Sequence, residues 1–126
     1  GLGDVYKRQV PPIYLSEDEI AAVLRAKKLI RDNIDNVPTI FDLCKKVALN
    51  KNKLQRAFQL TEGKSIGEYV RTLRMELALE LLEKSNMNTS DIAKAVGYHG
   101  VSNFYHVFRQ KFGETPHVFR ELLQKD

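Results

Sequence analysis

Near the end of the chain, apolar and polar residues alternate with helical spacing on both sides of one short turn, within residues 90–116. A short helix is predicted from roughly Asp91 to Val96, with its apolar residues on one face. Gly97 ends it, because glycine readily adopts the left-handed conformation at helix C-termini. After a turn at 98–100, apolar residues three and four positions apart predict a second helix: Val101, Phe104, Val107, Phe108 and Phe112. The pattern is typical of a helix-turn-helix.

The opposite face of the second helix is polar and contains no acid; it carries Ser102, Asn103, His106, Arg109 and Gln110. Amide, hydroxyl and cationic side chains on one helix face fit the major groove of DNA, where they contact base edges and phosphates. A solvated helix on any small all-helical domain would have the same polarity. The face therefore has two interpretations, a DNA-recognition helix and an ordinary surface helix.

The first half of the chain begins with a predicted packing helix. Ser16 and Glu19 have the spacing of a capping box, and the helix they open should end near Asn33. Helical spacing predicts that its buried side consists of Ile20, Val23, Leu24 and Ile30. We assign no chemistry to this segment.

Two shorter helices follow with the same alternation as residues 90–116. Thr39 caps a helix from Ile40 to Val47, and a third helix runs from Lys51 to about Leu60 with Leu54 and Phe58 inward. The outward face of the third helix is again polar and basic without an acid: Lys51, Asn52, Lys53, Gln55, Arg56 and Gln59.

A long helix connects the two patterns, and a last helix follows the second. Gly63 closes the third helix, Ser65 with Glu68 forms another capping box, and the long helix should end near Lys84. Thr115 and Pro116 open the last helix, since proline is favoured at the first helical position. The predicted fold class is all-α: seven helices forming two helix-turn-helix units joined by a long linker helix.

The two helix-turn-helix segments are internal copies. Residues 43–49 match residues 92–98 at an offset of 49 positions, and residues 54–69 match 104–119 at an offset of 50. One residue is therefore inserted in the second turn. The linker helix, at ~19 residues and 1.5 Å rise, spans about 28 Å, close to the ~34 Å between adjacent major-groove segments of B-DNA. This length suits two recognition helices in successive major grooves.

Charge is distributed unevenly along the 126 residues. The first 35 residues contain six Lys/Arg and six Asp/Glu, whereas the remainder contains fourteen and ten, which accounts for the whole net charge of +4. A basic surface attracts a polyanion by releasing condensed counterions; it would also serve solubility alone. The single cysteine, Cys44, excludes an internal disulfide and fits a reducing compartment. No apolar run reaches ~18 residues, so no membrane span is expected.

Two other classes of function were weighed. An enzyme is not expected, because His99, His106, His117 and Cys44 lack zinc-site spacing and no Gly-rich phosphate loop or nucleophile motif occurs. We expect no metal site and no cofactor. The alternative function is a protein-interaction helical module without DNA specificity, which would expose a broad apolar stripe.

The first nine residues lack periodicity, and residues 4–9 equal the translation of a transposon adapter used in sequencing libraries. We interpret residues 1–9 as a probable artefact, with an unstructured natural tail as the alternative, and expect an upstream domain to be missing. Residues 10–15 are predicted to be a linker. The double helix-turn-helix domain would cover residues 16–124: a first unit at 16–64, the linker helix at 65–84 and a second unit at 89–124.

The second unit resembles the signature of the AraC/XylS family of transcriptional regulators. The residues that carry it are Ile92-Ala93, Val96-Gly97-Tyr98, Phe104, Phe108, Lys111-Phe112-Gly113 and Thr115-Pro116. The resemblance covers about residues 16–124. It implies a seven-helix domain that binds asymmetric sites in double-stranded promoter DNA, usually activates transcription, and works with RNA polymerase in the bacterial cytoplasm at the nucleoid. An effector ligand, if any, would bind the missing N-terminal domain.

By position, the resemblance implies two sets of base contacts and one set of phosphate contacts. The first recognition helix would present Asn52, Lys53, Gln55 and Arg56 to bases, and the second would present Val101, Ser102, Asn103 and His106. Lys51, Arg109 and Lys111 would contact phosphates. One departure is Ala48, which stands in the first turn where the second has Gly97, so the geometry of the first turn is left open.

Overall fold

This computed structural model describes residues 14–125. That range contains seven α-helices and no strand. The all-α prediction is confirmed. The helices are α1 Glu17–Asp32, α2 Ile40–Val47, α3 Lys51–Glu62, α4 Ile66–Lys84, α5 Thr89–Ala95, α6 Val101–Phe112 and α7 Pro116–Gln124. The adapter interpretation of residues 1–9 and most of the predicted 10–15 linker fall on residues outside this range.

Capping side chains explain where the helices begin. The Ser16 hydroxyl accepts a hydrogen bond from the Glu19 amide at 3.1 Å and the Glu19 carboxylate accepts from the Ser16 amide at 3.4 Å, which completes the capping box of α1. Ser65 caps α4 through the Glu68 amide at 3.1 Å, but the Glu68 carboxylate accepts from the Ser65 hydroxyl. The second capping box therefore forms only in half.

The predicted start of α5 at Asp91 is wrong by two residues. Asn88 is the N-cap, its side chain accepts from the Asp91 amide at 2.8 Å, and the helix runs from Thr89 to Ala95. Asparagine caps a helix as well as serine does, so the chain enters the helix before Ser90.

The helices enclose two apolar cores that share the linker helix. Residues from α1, α2 and α3 form the first core, whose fully buried members include Ala26, Ile30, Leu43, Leu54 and Phe58. The second core is formed by α4 to α7 and includes Met75, Leu82, Ile92, Phe104 and Phe108. The N-terminal half of α4 packs on the first core and its C-terminal half on the second. Each helix-turn-helix unit is thus anchored to the same helix.

The buried side of α1 differs from the prediction at two positions. Val23 and Ile30 are buried, but Ile20 is 43% exposed and Leu24 is 61% exposed. Ala22 and Ala26 occupy the interior instead. Small side chains let a neighbouring helix approach closely, so the helix rotates its alanines inward and leaves two larger residues at the edge.

The last helix closes the end of the linker helix. The Arg120 guanidinium donates to the carbonyls of Leu82 at 3.2 Å and Ser85 at 3.3 Å, and the Gln124 amide donates to Leu82 at 3.0 Å. These carbonyls belong to the orphan acceptors that every helix C-terminus leaves unpaired. α7 therefore satisfies the end of α4 and fixes the second unit against it.

Both turns contain a residue with positive φ at the equivalent position. Ala48 has φ 57° and Gly97 has φ 105°, and they correspond at the offset of 49. α3 and α6 then begin 50 residues apart, at Lys51 and Val101. The two turns differ in detail, because Ala48 is itself the C-cap of α2, whereas Val96 is the C-cap of α5 and Gly97 follows it. The first turn therefore takes a positive φ without a glycine.

Candidate nucleic-acid interface

α3 turns one side to the core and a polar, basic side to solvent. Leu54, Ala57 and Phe58 are fully buried, and Phe58 meets the Tyr69 ring of α4 edge-on at 5.2 Å. The predicted DNA contacts of this helix are all exposed: Lys51, Asn52, Lys53, Gln55 and Arg56. Asn50 caps the helix by accepting from the Lys53 amide at 2.8 Å. The helix therefore begins immediately before the predicted contacts and holds them on ordered backbone.

One carboxylate lies beside the exposed side of α3 and forms only a weak ion pair with Arg56. The Glu19 carboxylate lies 3.9 Å from the Arg56 guanidinium, whose side chain is 56% exposed. Exposed pairs of this length contribute little, because water screens them. Glu62, the acid within α3, is instead paired with Lys27 at 2.8 Å in the last turn. Arg56 is consequently available to another anion.

α6 repeats this arrangement in the second unit. Phe104 and Phe108 are fully buried, and Phe108 stacks with Phe112 at 4.7 Å and with Phe119 at 5.5 Å. The predicted contacts Ser102, Asn103, His106, Arg109 and Lys111 are exposed, while Val101 is half-buried. The aromatic packing orients α6 so that its polar face points outward. The predicted contacts are thus exposed on both helices, apart from the half-buried Val101, but Lys111 lies on the flank of α6 that borders α4 rather than beside Ser102.

A cleft of about 530 Å³ between α4 and α6 adds a residue that the sequence analysis did not select. Its lining includes Arg71 and Thr72 from the linker helix and Gln110 and Lys111 from α6. Arg71 is exposed, so two cations border this cleft beside the second recognition helix, together with one acid, Glu68. The proximity of Arg71 to Lys111 depends on how α6 packs, which no local pattern shows.

Tyr98, in the turn before α6, is buried at 7% exposure. Burial raises the pKa of its hydroxyl, while the positive charges of Arg74 and Arg71 act in the opposite direction. The tyrosine serves as an aromatic part of the second core, with the Arg74 guanidinium of α4 beside its ring.

The side chains considered for metal or thiol chemistry lie apart from these helix faces or are isolated within residues 14–125. No three His, Cys, Asp or Glu side chains in this range are arranged to hold a metal ion. Cys44 is a free, half-buried thiol at the position of Ala93 in the second copy, and it packs against the first core. No helix of the described part of the chain is long and apolar enough to cross a membrane.

Two helix-turn-helix units on one linker helix, each with an accessible acid-free face, define a class of DNA-binding protein. Comparison with known proteins agrees. A family model described as a helix-turn-helix domain matches residues 43–122. The regulatory protein SoxS of Salmonella typhimurium is 35% identical over 94 residues, 75% of this chain and 88% of that protein. The chain belongs to the AraC/XylS family of transcriptional regulators.

Two further matches define the extent of the likeness. The Msm operon regulatory protein of Streptococcus mutans is 28% identical over 134 residues, which cover 99% of this chain but 48% of that protein. The chain therefore spans about half the length of this relative. The solved DNA-binding domain of the transcriptional factor AdpA, in complex with a target DNA, superposes with a TM-score of 0.72 at 19% identity, over 85% of this chain and 93% of that one. The likeness to AdpA establishes the fold. Proteins of this family are DNA-binding regulators of transcription rather than enzymes.

Proposed function

We propose that this chain binds double-stranded promoter DNA sequence-specifically, with α3 and α6 in successive major grooves, and regulates transcription, in the main by activation together with RNA polymerase. The observation that carries the proposal is the repetition of one exposed, acid-free helix face at an offset of 50 residues, on two units that share the linker helix α4. A 19-residue helix is about 28 Å long, which suits the ~34 Å between groove segments.

The assignment of bases follows from side-chain chemistry. Arg56 would contact guanine with two of its three guanidinium nitrogens, and Gln55 or Asn103 would pair with adenine in the same bidentate manner. The half-buried Val101 offers methyl groups to a thymine. Asn52, Lys53, Ser102 and His106 complete the two base-reading sets.

Phosphate contacts would position these two helices. We assign this role to Lys51 before the first base-reading residues and to Arg109 and Lys111 in the last turn of α6. Arg71 joins them, since it borders the same cleft as Lys111. Contacts of this type fix register on the duplex without carrying sequence information.

Two wider aspects of the function depend on protein outside the described residues. An effector ligand, if one exists, would bind a separate N-terminal domain of the kind that the family resemblance implies. The site of action would be the bacterial nucleoid in the cytoplasm. Neither aspect changes the interface assigned to α3 and α6.

The alternative, a protein-interaction module, receives less support from the surface. The exposed large apolar residues of the described chain belong to several elements: Tyr14, Ile20 and Leu24 in and before α1, Phe41 on α2, Leu60 on α3, and Val118 and Leu122 on α7. The acid-free polar faces, by contrast, are continuous on their helices.

Selection of bound sites from a random double-stranded DNA pool tests the proposal. We expect bipartite sites whose halves are separated by about 10 base pairs, with affinity that falls steeply as salt rises. A single short half-site would show that one unit reads alone. Recovery of no consensus, with binding that is insensitive to salt, would leave the protein-interaction function as the better interpretation.

A further inference from the structure

The two helix-turn-helix units touch each other at Gly97. A Cβ atom added to Gly97 would lie 2.6 Å from the carbonyl oxygen of Ile34 and 2.7 Å from the guanidinium carbon of Arg74. Ile34 follows α1 and packs on the first core, whereas Gly97 lies in the turn of the second unit. The main chains of the two units therefore approach closely, with the side chain of Arg74 against the same turn.

Arg74 joins the elements that meet there. Its Nε donates a hydrogen bond to the Ile34 carbonyl at 3.2 Å. Its guanidinium carbon also lies 5.5 Å from the centroid of the Tyr98 ring, a distance at which a cation is attracted to an aromatic face. One side chain from the linker helix thus bonds the loop of the first unit and covers the turn of the second.

This junction is connected to both recognition helices. Tyr98 packs against Phe104 of α6, with ring centroids 5.8 Å apart. On the other side, Ile34 belongs to the loop that leaves α1, and α1 packs on α3 through Val23, Ala26 and Ile30 in the first core. A change in the position of Arg74 would therefore alter the angle between α3 and α6 rather than the shape of either face.

We propose that Arg74 and the Gly97-Tyr98 turn form a junction that fixes the rotation of one helix-turn-helix unit relative to the other and so selects the spacing of the two half-sites. The inference rests on the proposed docking in successive major grooves. Arg74 is a positioning residue in this scheme. It acts by holding Ile34 and Tyr98, and it contacts no base.

The geometry of DNA makes spacing a sensitive measure of this rotation. With one helical turn per 10–10.5 base pairs and 34–36 Å, one inserted pair moves a half-site by about 3.4 Å and rotates it by about 34°. A rigid pair of units cannot follow that rotation, so one half-site is lost or the DNA must twist. Units joined only by α4, without the junction, would tolerate the change better.

The experiment compares Arg74→Met and Arg74→Lys with the unaltered chain on bipartite sites whose half-site spacing varies from 9 to 12 base pairs, and on each half-site alone. We expect the unaltered chain to lose about tenfold or more in affinity for each base pair away from its optimum. Arg74→Met should reduce that loss to about threefold or less, while its affinity for each single half-site stays unchanged. Arg74→Lys retains the cation beside Tyr98 and should fall between the two.

Arg31→Met is the matched control. The Nε of Arg31 donates to the Tyr69 hydroxyl at 3.1 Å, so this arginine also ties a neighbouring element to α4, but inside the first unit. Its spacing profile should equal that of the unaltered chain. An unchanged profile in Arg74→Met would overturn the junction. If the unaltered chain itself had no spacing optimum, the two-groove proposal would fail instead.

A second measurement does not depend on DNA. Spin labels at Gln59→Cys on α3 and Gln110→Cys on α6, in a Cys44→Ala background, report the distance between the two recognition helices. We expect one narrow distance distribution for the unaltered junction, a distribution at least twice as wide for Arg74→Met, and an intermediate width for Arg74→Lys. Equal widths in chains whose helix content by circular dichroism is unchanged would refute the inference, even if Arg74→Met lost half-site binding.

Discussion

Ala48→Gly and Gly97→Ala, which alter the two equivalent left-handed positions, are predicted to change stability in opposite directions. Both residues end the first helix of a helix-turn-helix unit, and both have positive φ. The surroundings differ, because Gly97 meets the main chain of Ile34 and the guanidinium of Arg74. The pair therefore separates the cost of the backbone conformation from the cost of the close approach.

At Ala48 only the backbone conformation is at issue. Its φ of 57° and ψ of 41° lie in the left-handed region, which costs a residue with a Cβ roughly 1–2 kcal/mol. Glycine removes that strain but adds about 0.5–1 kcal/mol of unfolded-state entropy. Ala48→Gly should therefore raise the free energy of unfolding by up to about 1.5 kcal/mol.

At Gly97 two costs add. A φ of 105° is strained for any residue with a Cβ, at about 1–3 kcal/mol. The new Cβ would also lie 2.6 Å from a carbonyl oxygen of the main chain, and overpacking of this kind costs about 1–3 kcal/mol. Gly97→Ala should lower the free energy of unfolding by about 2–6 kcal/mol.

Urea unfolding followed by circular dichroism at 222 nm measures both changes, and amide hydrogen exchange assigns them to one core or the other. The gain from Ala48→Gly should be found in the first core and the loss from Gly97→Ala in the second. A neutral Gly97→Ala, or a destabilising Ala48→Gly, would refute the argument from backbone geometry. Equal losses at both positions would show that the turns need something other than a left-handed residue.

Three further substitutions test the interface and the second core. Arg56→Ala should reduce the binding free energy at a cognate site by about 1–3 kcal/mol and relax specificity at one base. Competition binding against single-base variants of the site measures both effects. An equal loss of affinity on all sequences would instead indicate a phosphate contact. Lys111→Ala should weaken binding to every sequence alike and reduce the slope of log affinity against log salt concentration by about one. Lys28→Ala on α1 is the control and should leave this slope unchanged. Equal slopes for Lys111→Ala and the unaltered chain would show that Lys111 is not part of the interface. Phe108→Ala should destabilise the second core by about 3–5 kcal/mol because the ring is fully buried. Phe41→Ala is the control; its ring is 64% exposed, so the loss should be under about 0.5 kcal/mol. Similar losses of stability at both phenylalanines would mean that Phe108 is not part of the core.

Local chemistry predicted most helix ends, because the residues that determine them act within one turn. Thr39 and Gly63 have the cap positions that the sequence indicated, and α2 and α4 have the predicted bounds. The sequence does not single out Asn88 as the cap of α5, because Ser90, another capping residue type, lies nearer to the apolar positions of the helix. Competing caps within two residues of each other are distinguished only by how the loop packs.

Burial was harder to predict where alanine was involved. Spacing by three and four fits both Ile20 with Leu24 and Ala22 with Ala26, and hydrophobicity favours the first pair. Packing favours the second, since alanine lets α1 lie close to its neighbours and the larger residues remain at the edge. A one-dimensional pattern contains the period of a helix but not the distance to the helix beside it.

Some parts of the candidate site are likewise predictable from the sequence, and others are not. The exposed faces of α3 and α6 follow directly from period and polarity, and the roles of their residues on DNA remain predictions. The cleft with Arg71 and the junction at Arg74 join residues 40 positions apart in the chain, from α4 to α6 and from Ile34 to α4. Contacts of that range depend on the packing of the whole second unit, so no local signal indicates them.

The two recognition helices place their positive charge differently. α3 carries Lys51, Lys53 and Arg56 in its first half, whereas the cations of α6, Arg109 and Lys111, lie in its last turn. In a helix-turn-helix the N-terminal residues of the recognition helix face the base edges. On the proposed docking, α3 would therefore combine base contacts with strong attraction to the phosphates. α6 would read bases with the uncharged Ser102 and Asn103 and contact phosphates farther along the groove. In such a pair α6 must be placed accurately on the DNA, because it adds little electrostatic attraction of its own. The contacts of Arg74 with Ile34 and Tyr98 lie where the orientation of α6 relative to α3 would be set.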